Sequence, residues 1–167
     1  MKYLMKLHLR TCTQADLPRI TTWLHADHVR RAWGDPDGNL ELLRAEAPHG
    51  SWRAIIVADG VDVGLILWQH PTRHELDVAG LHDIPASVID IDIMIGEQAA
   101  TGKGIGSAAI KLVAEAALHN PEVPFVMACA HVENHASQRA FEQAGFRRDR
   151  IFDDVPHGHY VLMVRHR

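Results

Sequence analysis

The hydrophobic pattern of the chain changes period several times, and each change predicts a new element. The N-terminal segment LMKLHLR alternates apolar and polar residues, which is typical of a half-buried strand. Apolar residues then recur at helical spacing from Leu17 to Val29, with Thr13 or Asp16 as the cap. RAWGDPDGN contains turn-forming residues, and LELLRAEA predicts a short second helix.

The middle of the chain predicts a β-hairpin followed by a long loop. SWRAIIVADGVDVGLILW consists of two strand-like runs joined at Asp59-Gly60, a pair suited to positive φ angles. The polar segment QHPTRHELDVAGLHDIPA is punctuated by proline and glycine and predicts a loop, which at this length is often functional. VIDIDIMI predicts the next strand, whose apolar run is interrupted by Asp90 and Asp92.

The C-terminal part alternates between helices and strands. SAAIKLVAEAALH predicts a helix that buries Ile110, PFVMACA a strand, and NHASQRAFEQAG a helix capped by Asn134 and ended by Gly145. RIFD and GHYVLMV predict two closing strands. This order predicts an α+β fold, with a mixed, mostly antiparallel sheet of about six or seven strands flanked by about four helices. We expect a single domain over residues 1–167.

Composition and charge narrow the class of protein. With 47% hydrophobic and 23% charged residues, the chain is typical of soluble globular proteins, and its apolar runs are too short for a membrane span. A net charge of −4 provides no attraction for nucleic acid and tolerates a cationic small molecule. Cys12 and Cys129 lie far apart and match no metal or redox spacing, which predicts free thiols in a reducing cytoplasm.

The 13 histidines raise the question of a metal site. Two pairs are closely spaced, namely His70 with His74 and His157 with His159. Neither pair has a third ligand at a recognisable spacing, so we expect no metal. Three other histidines remain candidates for a base, because an unperturbed imidazole titrates near neutrality: His25, His28 and His82.

A glycine-rich loop joins the VIDIDIMI strand to the next helix. Within a helix Gly102, Gly104 and Gly106 would each cost ~1 kcal/mol relative to alanine, so they lie before or at the helix start. Such a turn exposes main-chain N–H groups at the positive end of the helix dipole, and Lys103 adds a cation, which suits a phosphate. The P-loop motif does not fit, because it needs Ser or Thr after the lysine and Gly104 follows Lys103. The dinucleotide-binding motif Gly-x-Gly-x-x-Gly does not fit either, because Ser107 stands where its third glycine would be. A tight strand-to-helix turn is the alternative.

IGEQAATGKGIGSAAI followed by NHASQRAFEQAGF resembles the GNAT acyltransferase superfamily. The pyrophosphate loop of that superfamily has the form Arg/Gln-x-x-Gly-x-Gly/Ala, and its later helix begins at asparagine and ends in Ala-Gly-Phe. WLHADHVRRAWG, HNPEV and GHYVLMV further resemble the aminoglycoside 6′-N-acetyltransferase branch. The resemblance covers the whole chain. It implies a GNAT-fold enzyme, a monomer or homodimer, that transfers acetyl from acetyl-CoA to a small-molecule amine, first of all an aminoglycoside 6′-amine as in antibiotic resistance.

The resemblance also implies site residues. The pantetheine arm would pair with the strand, and the pyrophosphate would be bound by main-chain N–H groups of the loop. The cofactor-binding residues would be Ile93, Met94, Ile95, Gly102, Lys103, Gly104, Ile105, Gly106, Ser107 and Asn134. The acceptor-binding residues would be Trp33, Asp35, Asp92 and Cys129.

The two strand aspartates acquire a possible role from the same resemblance. Asp90 and Asp92 project to one face of the strand, opposite its isoleucines. A lysine-like amine titrates near 10.4, so deprotonating it at pH 7 costs roughly 4 to 5 kcal/mol. A carboxylate can accept this proton, directly or through a water, and Asp92 aligns with the aspartate regarded as the base in the branch. A solvated strand face is the alternative, and it suits Asp90 better.

Three departures from the family pattern keep other functions open. Thr101 replaces the Arg or Gln of the loop, and Phe141 stands where many members have the tyrosine thought to protonate the departing thiolate. Cys129 stands where the branch often has a second aspartate. A hydroxylysine-type siderophore precursor or another small amine is therefore an alternative acceptor. A catalytically weak acyl-CoA-binding domain is the alternative suggested by Phe141.

Overall fold

The computed structural model describes residues 3–154 and 157–167. The seven strands are β1 (Leu7–Thr11), β2 (Ser51–Ala58), β3 (Val61–Gln69), β4 (Ile89–Ile95), β5 (Val126–His131), β6 (Arg147–Asp154) and β7 (Gly158–Arg165). The six α-helices are α1 (Leu17–His25), α2 (Asp27–Trp33), α3 (Pro36–Arg44), α4 (Arg73–Val78), α5 (Ile105–Leu118) and α6 (His135–Gln143). Short 3-10 turns cover Gln14–Asp16 and Gln98–Ala100.

The sheet confirms the predicted architecture. Its hydrogen-bonded order is β1-β2-β3-β4-β5-β7-β6. The pairs β1/β2, β5/β7 and β6/β7 are antiparallel, whereas β4 and β5 are parallel. The hairpin between β2 and β3 turns at Asp59 and Gly60, whose φ angles are 50° and 78°. The mixed, mostly antiparallel sheet expected from the element order is therefore present.

The described residues hold six α-helices rather than about four, for two local reasons. Ala26 has an extended backbone, with φ −66° and ψ 138°, so the predicted first helix is divided into α1 and α2. The predicted long loop contains α4, because Thr72 and Glu75 form a capping box. In this box the Glu75 amide donates to Thr72 Oγ1 at 3.1 Å and the Thr72 amide donates to Glu75 Oε2 at 2.8 Å.

The described residues form two compact units. Residues 3–67 and 93–109 make up the first, and residues 68–92, 110–154 and 157–167 make up the second. The boundary falls within β4, so this strand contributes Asp90 and Asp92 to the second unit and Ile93–Ile95 to the first. The single domain expected over residues 1–167 stays a prediction.

Each unit has a hydrophobic core of its own. The first core consists of Ile20, Trp23, Leu24, Val29, Leu40, Leu43, Ile55, Val57, Leu65 and Met94. The second consists of Leu76, Leu81, Ile84, Val88, Met127, Leu162 and Val164. In the described part of the chain, no helix combines the length and the apolar character that crossing a bilayer requires.

Close packing within the first unit fixes the end of β4. A Cβ on Gly64 would lie 2.3 Å from the Met94 carbonyl oxygen, and a Cβ on Gly96 would lie 2.0 Å from Trp23 Cγ. Only glycine fits at these two positions, because real Cβ atoms do not approach so closely. Trp23 is buried, and its indole Nε1 donates to Glu97 Oε1 at 2.8 Å. The strand that leads to the glycine loop is therefore held by β3 and α1.

Candidate functional site

The glycine loop has the geometry expected of an anion-binding turn. Gly102 and Gly104 have φ angles of 72° and 78°, which glycine adopts far more easily than other residues. A Cβ on Gly102 would meet no atom within 4 Å, so the space beside the main chain is open. Helix α5 begins at Ile105, and the first amides of a helix have no intrahelical acceptor. The loop thus presents N–H groups to solvent at the positive end of a 14-residue helix.

Two polar side chains of this segment differ in their surroundings. Ser107 Oγ donates to the Gly104 carbonyl at 3.0 Å, which holds the loop against the first turn of α5. Lys103 is exposed and lies between the two glycines of positive φ. The loop therefore combines a fixed backbone with a cation in solvent.

Helix α2 is attached to the C-terminal half of β4 by two side chains. Trp33 Nε1 donates to the Ile93 carbonyl at 3.2 Å, and His28 Nε2 lies 2.9 Å from the Ile95 carbonyl. Because a carbonyl only accepts, His28 Nε2 carries the proton in this contact. Trp33 is half-buried against the first core. Within the first unit Trp33 is therefore held by a hydrogen bond and by core packing, while part of its surface remains exposed.

Asp35 has a capping role in the structure. Its carboxylate accepts hydrogen bonds from the amides of Asp37 at 3.1 Å and Gly38 at 3.2 Å, at the start of α3. The residue is exposed and lines an open surface depression together with Arg30 and Arg31. Its predicted contact with an acceptor stays a prediction.

The second unit holds both strand aspartates. The parallel β4/β5 ladder pairs Ile89 with Val126 and Asp90 with Met127, so it ends two residues before Asp92. Alternation places both carboxylates on one face of β4. Asp92 is exposed, whereas Asp90 is half-buried. Among the described side chains, Asp90 Oδ1 is the buried oxygen that lacks a hydrogen-bond partner.

Burial changes the ionisation of these carboxyl groups. It raises the pKa of Asp92 to about 6. It also raises the pKa of Asp90 well above the usual range, and the charges of Asp92 and Glu75 add to this effect. Asp92 is exposed, yet the protein around its carboxyl group removes enough water to disfavour the charged form and raise its pKa. Burial therefore disfavours the charged form of both aspartates.

Cys129 is a thiol at neutral pH. Burial raises its pKa well above the ordinary value, and the carboxylates of Asp90 and Asp92 raise it further. A cysteine acts as a nucleophile through its thiolate, so this environment opposes covalent catalysis. The residue packs at the edge of the second core, next to the two aspartates along the sheet face.

The C-terminal strands bring aromatic residues to the same region, which the sequence did not predict. The rings of Phe152 and Tyr160 are stacked with centroids 5.8 Å apart, and the rings of His131 and Tyr160 form a T-shaped pair with centroids 5.5 Å apart. The strand GHYVLMV was predicted, but its register against β5 was not. The aromatic residue in this alternating strand was the available sequence signal for the cluster. Alternation alone does not show which residues of the neighbouring strands it contacts.

Helix α6 supplies two of the residues singled out by the sequence. Asn134 is its cap, and its side-chain oxygen accepts from the Ser137 amide at 3.1 Å, as predicted. Phe141 is buried, and its ring meets Phe146 at 5.1 Å in an edge-to-face arrangement. A hydroxyl group is thus absent from this position. The predicted contact of Asn134 with a cofactor stays a prediction.

In the residues that the structure describes, no group of three or more histidine, cysteine, aspartate or glutamate side chains could hold a metal ion. The histidines instead contact nearby groups. His25 Nε2 lies 3.6 Å from Asp37, and His82 Nδ1 lies 3.0 Å from Asp77. These are exposed pairs, for which stabilisation is small.

Comparison with known proteins identifies relatives across nearly the whole chain. The model of the acetyltransferase (GNAT) domain family matches residues 12–154. The aminoglycoside N(6′)-acetyltransferase type 1 of Klebsiella pneumoniae is 23% identical over 168 aligned residues, which cover 95% of this chain and 82% of the relative.

Solved structures show the same fold. The aminoglycoside acetyltransferase AAC(6′)-Ib in complex with coenzyme A and kanamycin matches with a TM-score of 0.80 at 23% identity, over 97% of this chain and 95% of the other. A spermidine N-acetyltransferase chimera from Vibrio cholerae matches with a TM-score of 0.71 at 15% identity, over 96% and 95% of the two chains. The fold is therefore shared by acetyltransferases of different amines.

Proposed function

This chain belongs to the GNAT acetyltransferase family and is an acetyl-CoA-dependent N-acetyltransferase, and from that premise we propose that it acetylates the 6′-amine of an aminoglycoside. The relative from Klebsiella pneumoniae, an aminoglycoside N(6′)-acetyltransferase, supports this acceptor. The chain's net charge of −4 is compatible with a polycationic molecule. We further propose a role in aminoglycoside resistance and a cytoplasmic location, which the free thiols Cys12 and Cys129 favour.

Two segments of the first unit support the proposed binding of acetyl-CoA. The Gly102–Ser107 segment offers main-chain N–H groups at the start of α5 for a pyrophosphate. The Ile93–Ile95 segment follows the end of the β4/β5 ladder. The carbonyls of Ile93 and Ile95 are engaged by Trp33 and His28, so the main-chain N–H groups of this segment would pair with carbonyl groups of a pantetheine arm. Acetyl-CoA, when bound, supplies the acetyl group as a thioester. Main-chain donors of Ile93–Ile95 would polarise its carbonyl.

Asp92 carries the amine-acceptor part of the proposal. It is a solvent-reaching carboxylate with a pKa raised to about 6, and it immediately precedes the Ile93–Ile95 segment. Such a group anchors an ammonium ion and accepts its proton, directly or through a water. Raising the pKa of an aspartate from 3.8 to about 6 lowers the free energy of proton transfer from an amine by at most ~3 kcal/mol. The burial that perturbs Asp92 therefore makes it a better base.

The remaining steps need no covalent enzyme intermediate. The neutral amine attacks the thioester directly once both substrates are held in place. Cys129 is a protonated thiol because its pKa is raised, which argues against an acyl-cysteine route. Phe141 is buried and has no hydroxyl group, so solvent or another residue protonates the departing thiolate.

A second acceptor class is favoured by one residue. Cys129 provides no second fixed negative charge on β5, where a polycationic antibiotic would be expected to meet one. A smaller amine, such as a hydroxylysine-type siderophore precursor, needs fewer charges. A catalytically weak acyl-CoA-binding domain is the third possibility, since Phe141 cannot act as an acid.

An acetyl-transfer assay separates these three functions. The purified protein is incubated with acetyl-CoA and a panel of amines, and the release of free coenzyme A is followed with a thiol reagent. Turnover of kanamycin-type aminoglycosides is expected. Turnover of other small amines, without turnover of aminoglycosides, would instead support the second acceptor class. Tight coenzyme A binding without turnover of any amine would support the third.

A further inference from the structure

Three aromatic rings cross the C-terminal strands in one row. His131 on β5 is paired with Tyr160 on β7, and Tyr160 is paired with Phe152 on β6. The Tyr160 ring is stacked on Phe152 with centroids 5.8 Å apart, and the Tyr160 and His131 rings form a T-shaped pair with centroids 5.5 Å apart. Tyr160 is half-buried, so part of its ring remains open to solvent. Its two neighbours fix its orientation.

Tyr160 lies on the same face of the sheet as Asp92. Asp90 is paired with Met127, and Cys129, two residues along β5, is on the Met127 face and is paired with Leu162. Met127, Leu162 and Val164 share one buried cluster, which confirms that these positions face one way. Tyr160 is two residues from Leu162, so it extends the same face. Towards the C-terminal end of β5, this face changes from apolar core to Cys129 and Tyr160.

The surroundings of Tyr160 are negatively charged. Burial raises the pKa of its phenol, and the carboxylates of Asp154 and Asp92 raise it further. The phenol is therefore neutral at physiological pH, and its ring lies within electrostatic reach of two carboxylates. An aromatic face flanked by carboxylates attracts cations, since the ring quadrupole and the negative charges act in the same direction.

We propose that Tyr160 is a specificity-determining residue of the acceptor site, where its ring, supported by Phe152, receives a second, non-reacting ammonium group of the acceptor. This inference rests on the proposed function, because it needs an amine acceptor at Asp92. The reacting amine loses its proton to Asp92, while the second ammonium keeps its charge over the Tyr160 ring near Asp154. The acceptor is thus an amine that carries at least two positive charges.

The ring and the hydroxyl group of Tyr160 make different predictions. If the ring binds a cation, Tyr160→Phe keeps the function and Tyr160→Ala loses it. If the hydroxyl instead supplied the proton that Phe141 cannot give, both variants would lose kcat. The pair of variants therefore separates acceptor binding from proton donation.

The test is steady-state kinetics of kanamycin acetylation by the wild type and by variants of Tyr160. Tyr160→Ala should raise the KM for kanamycin about 5- to 30-fold, the range expected from a lost cation–aromatic contact, with an unchanged KM for acetyl-CoA. Tyr160→Phe should remain within about twofold of the wild type. Tyr160→Leu, which fills most of the volume, replaces the alanine variant if the latter does not fold, and the same increase is expected.

Ile151→Ala is the matched control. Ile151 is an exposed apolar residue, 68% accessible, next to Phe152 but on the other face of β6. Its removal should change neither KM. An unchanged kanamycin KM in Tyr160→Ala, or an equal loss of kcat in Tyr160→Phe, would overturn the assignment while leaving the proposed function intact. A wild-type protein that turns over no amine would refute the proposed function, and this role of Tyr160 with it.

Discussion

Asp92→Asn removes the group to which the proposed chemistry assigns the proton. Its pKa is raised to about 6, so wild-type Asp92 is about half ionised at pH 6 and about one-tenth ionised at pH 5. A carboxylate that must be ionised gives a kcat/KM that falls about tenfold per pH unit below pH 6. The asparagine variant cannot accept a proton. We therefore expect kcat to fall about 100- to 10,000-fold, the usual contribution of a positioned base.

The assay is the pH dependence of kcat/KM for the wild type and Asp92→Asn, measured by coenzyme A release between pH 5 and 9. The variant should lose the limb that titrates near pH 6 in the wild type. Glu122→Gln, which neutralises an exposed carboxylate after α5, is the control and should keep the wild-type profile. Full kcat/KM for Asp92→Asn at every pH would remove Asp92 from the mechanism.

Three further predictions concern stability and cofactor binding. The pKa of Asp92 is higher in the folded protein than in the unfolded chain, so its ionised form destabilises the fold at pH 8. Asp92→Asn should therefore raise the free energy of unfolding at pH 8 by up to ~1 kcal/mol after solvent screening, seen as a higher unfolding temperature. This advantage should disappear below pH 4, where the aspartate is protonated in both states. Gly104→Val, at φ 78°, should raise the KM for acetyl-CoA several-fold; unchanged affinity would contradict the phosphate loop. Gly96→Ala places a Cβ 2.0 Å from Trp23 Cγ and should lower the free energy of unfolding by about 3 kcal/mol in urea denaturation; unchanged stability would contradict the packing.

Local signals in the sequence predicted many of the elements. Asp59-Gly60 marked the β2/β3 hairpin, and Asn134 marked the start of α6, because both depend on residues within a few positions. The divided N-terminal helix was missed, since apolar spacing continues through Ala26 while its backbone does not. Helix α4 was missed although the capping-box pattern of Thr72 and Glu75 was present, because proline and glycine nearby favoured a loop.

The candidate site was predicted in part. The alternation of β4 placed Asp90 and Asp92 on one face, but it could not show that Asp90 Oδ1 is buried without a partner. That property depends on how β5 and the segment around α4 cover the strand. Tyr160 was not predicted for a similar reason, since its position depends on the register of β7 against β5. Site residues whose positions depend on local geometry could be predicted from the sequence, whereas those whose positions depend on strand pairing could not.

The most direct test of the proposed function compares two acceptors that differ in one group. The values of kcat/KM are measured for an aminoglycoside with a 6′-amine and for its analogue with a 6′-hydroxyl, and the product is identified by mass spectrometry and NMR. We predict that the 6′-amine compound gains one acetyl group on that nitrogen and that the analogue is turned over at least about 1,000-fold more slowly. Equal rates for the two compounds, or acetylation at another amine, would contradict a 6′-acetyltransferase.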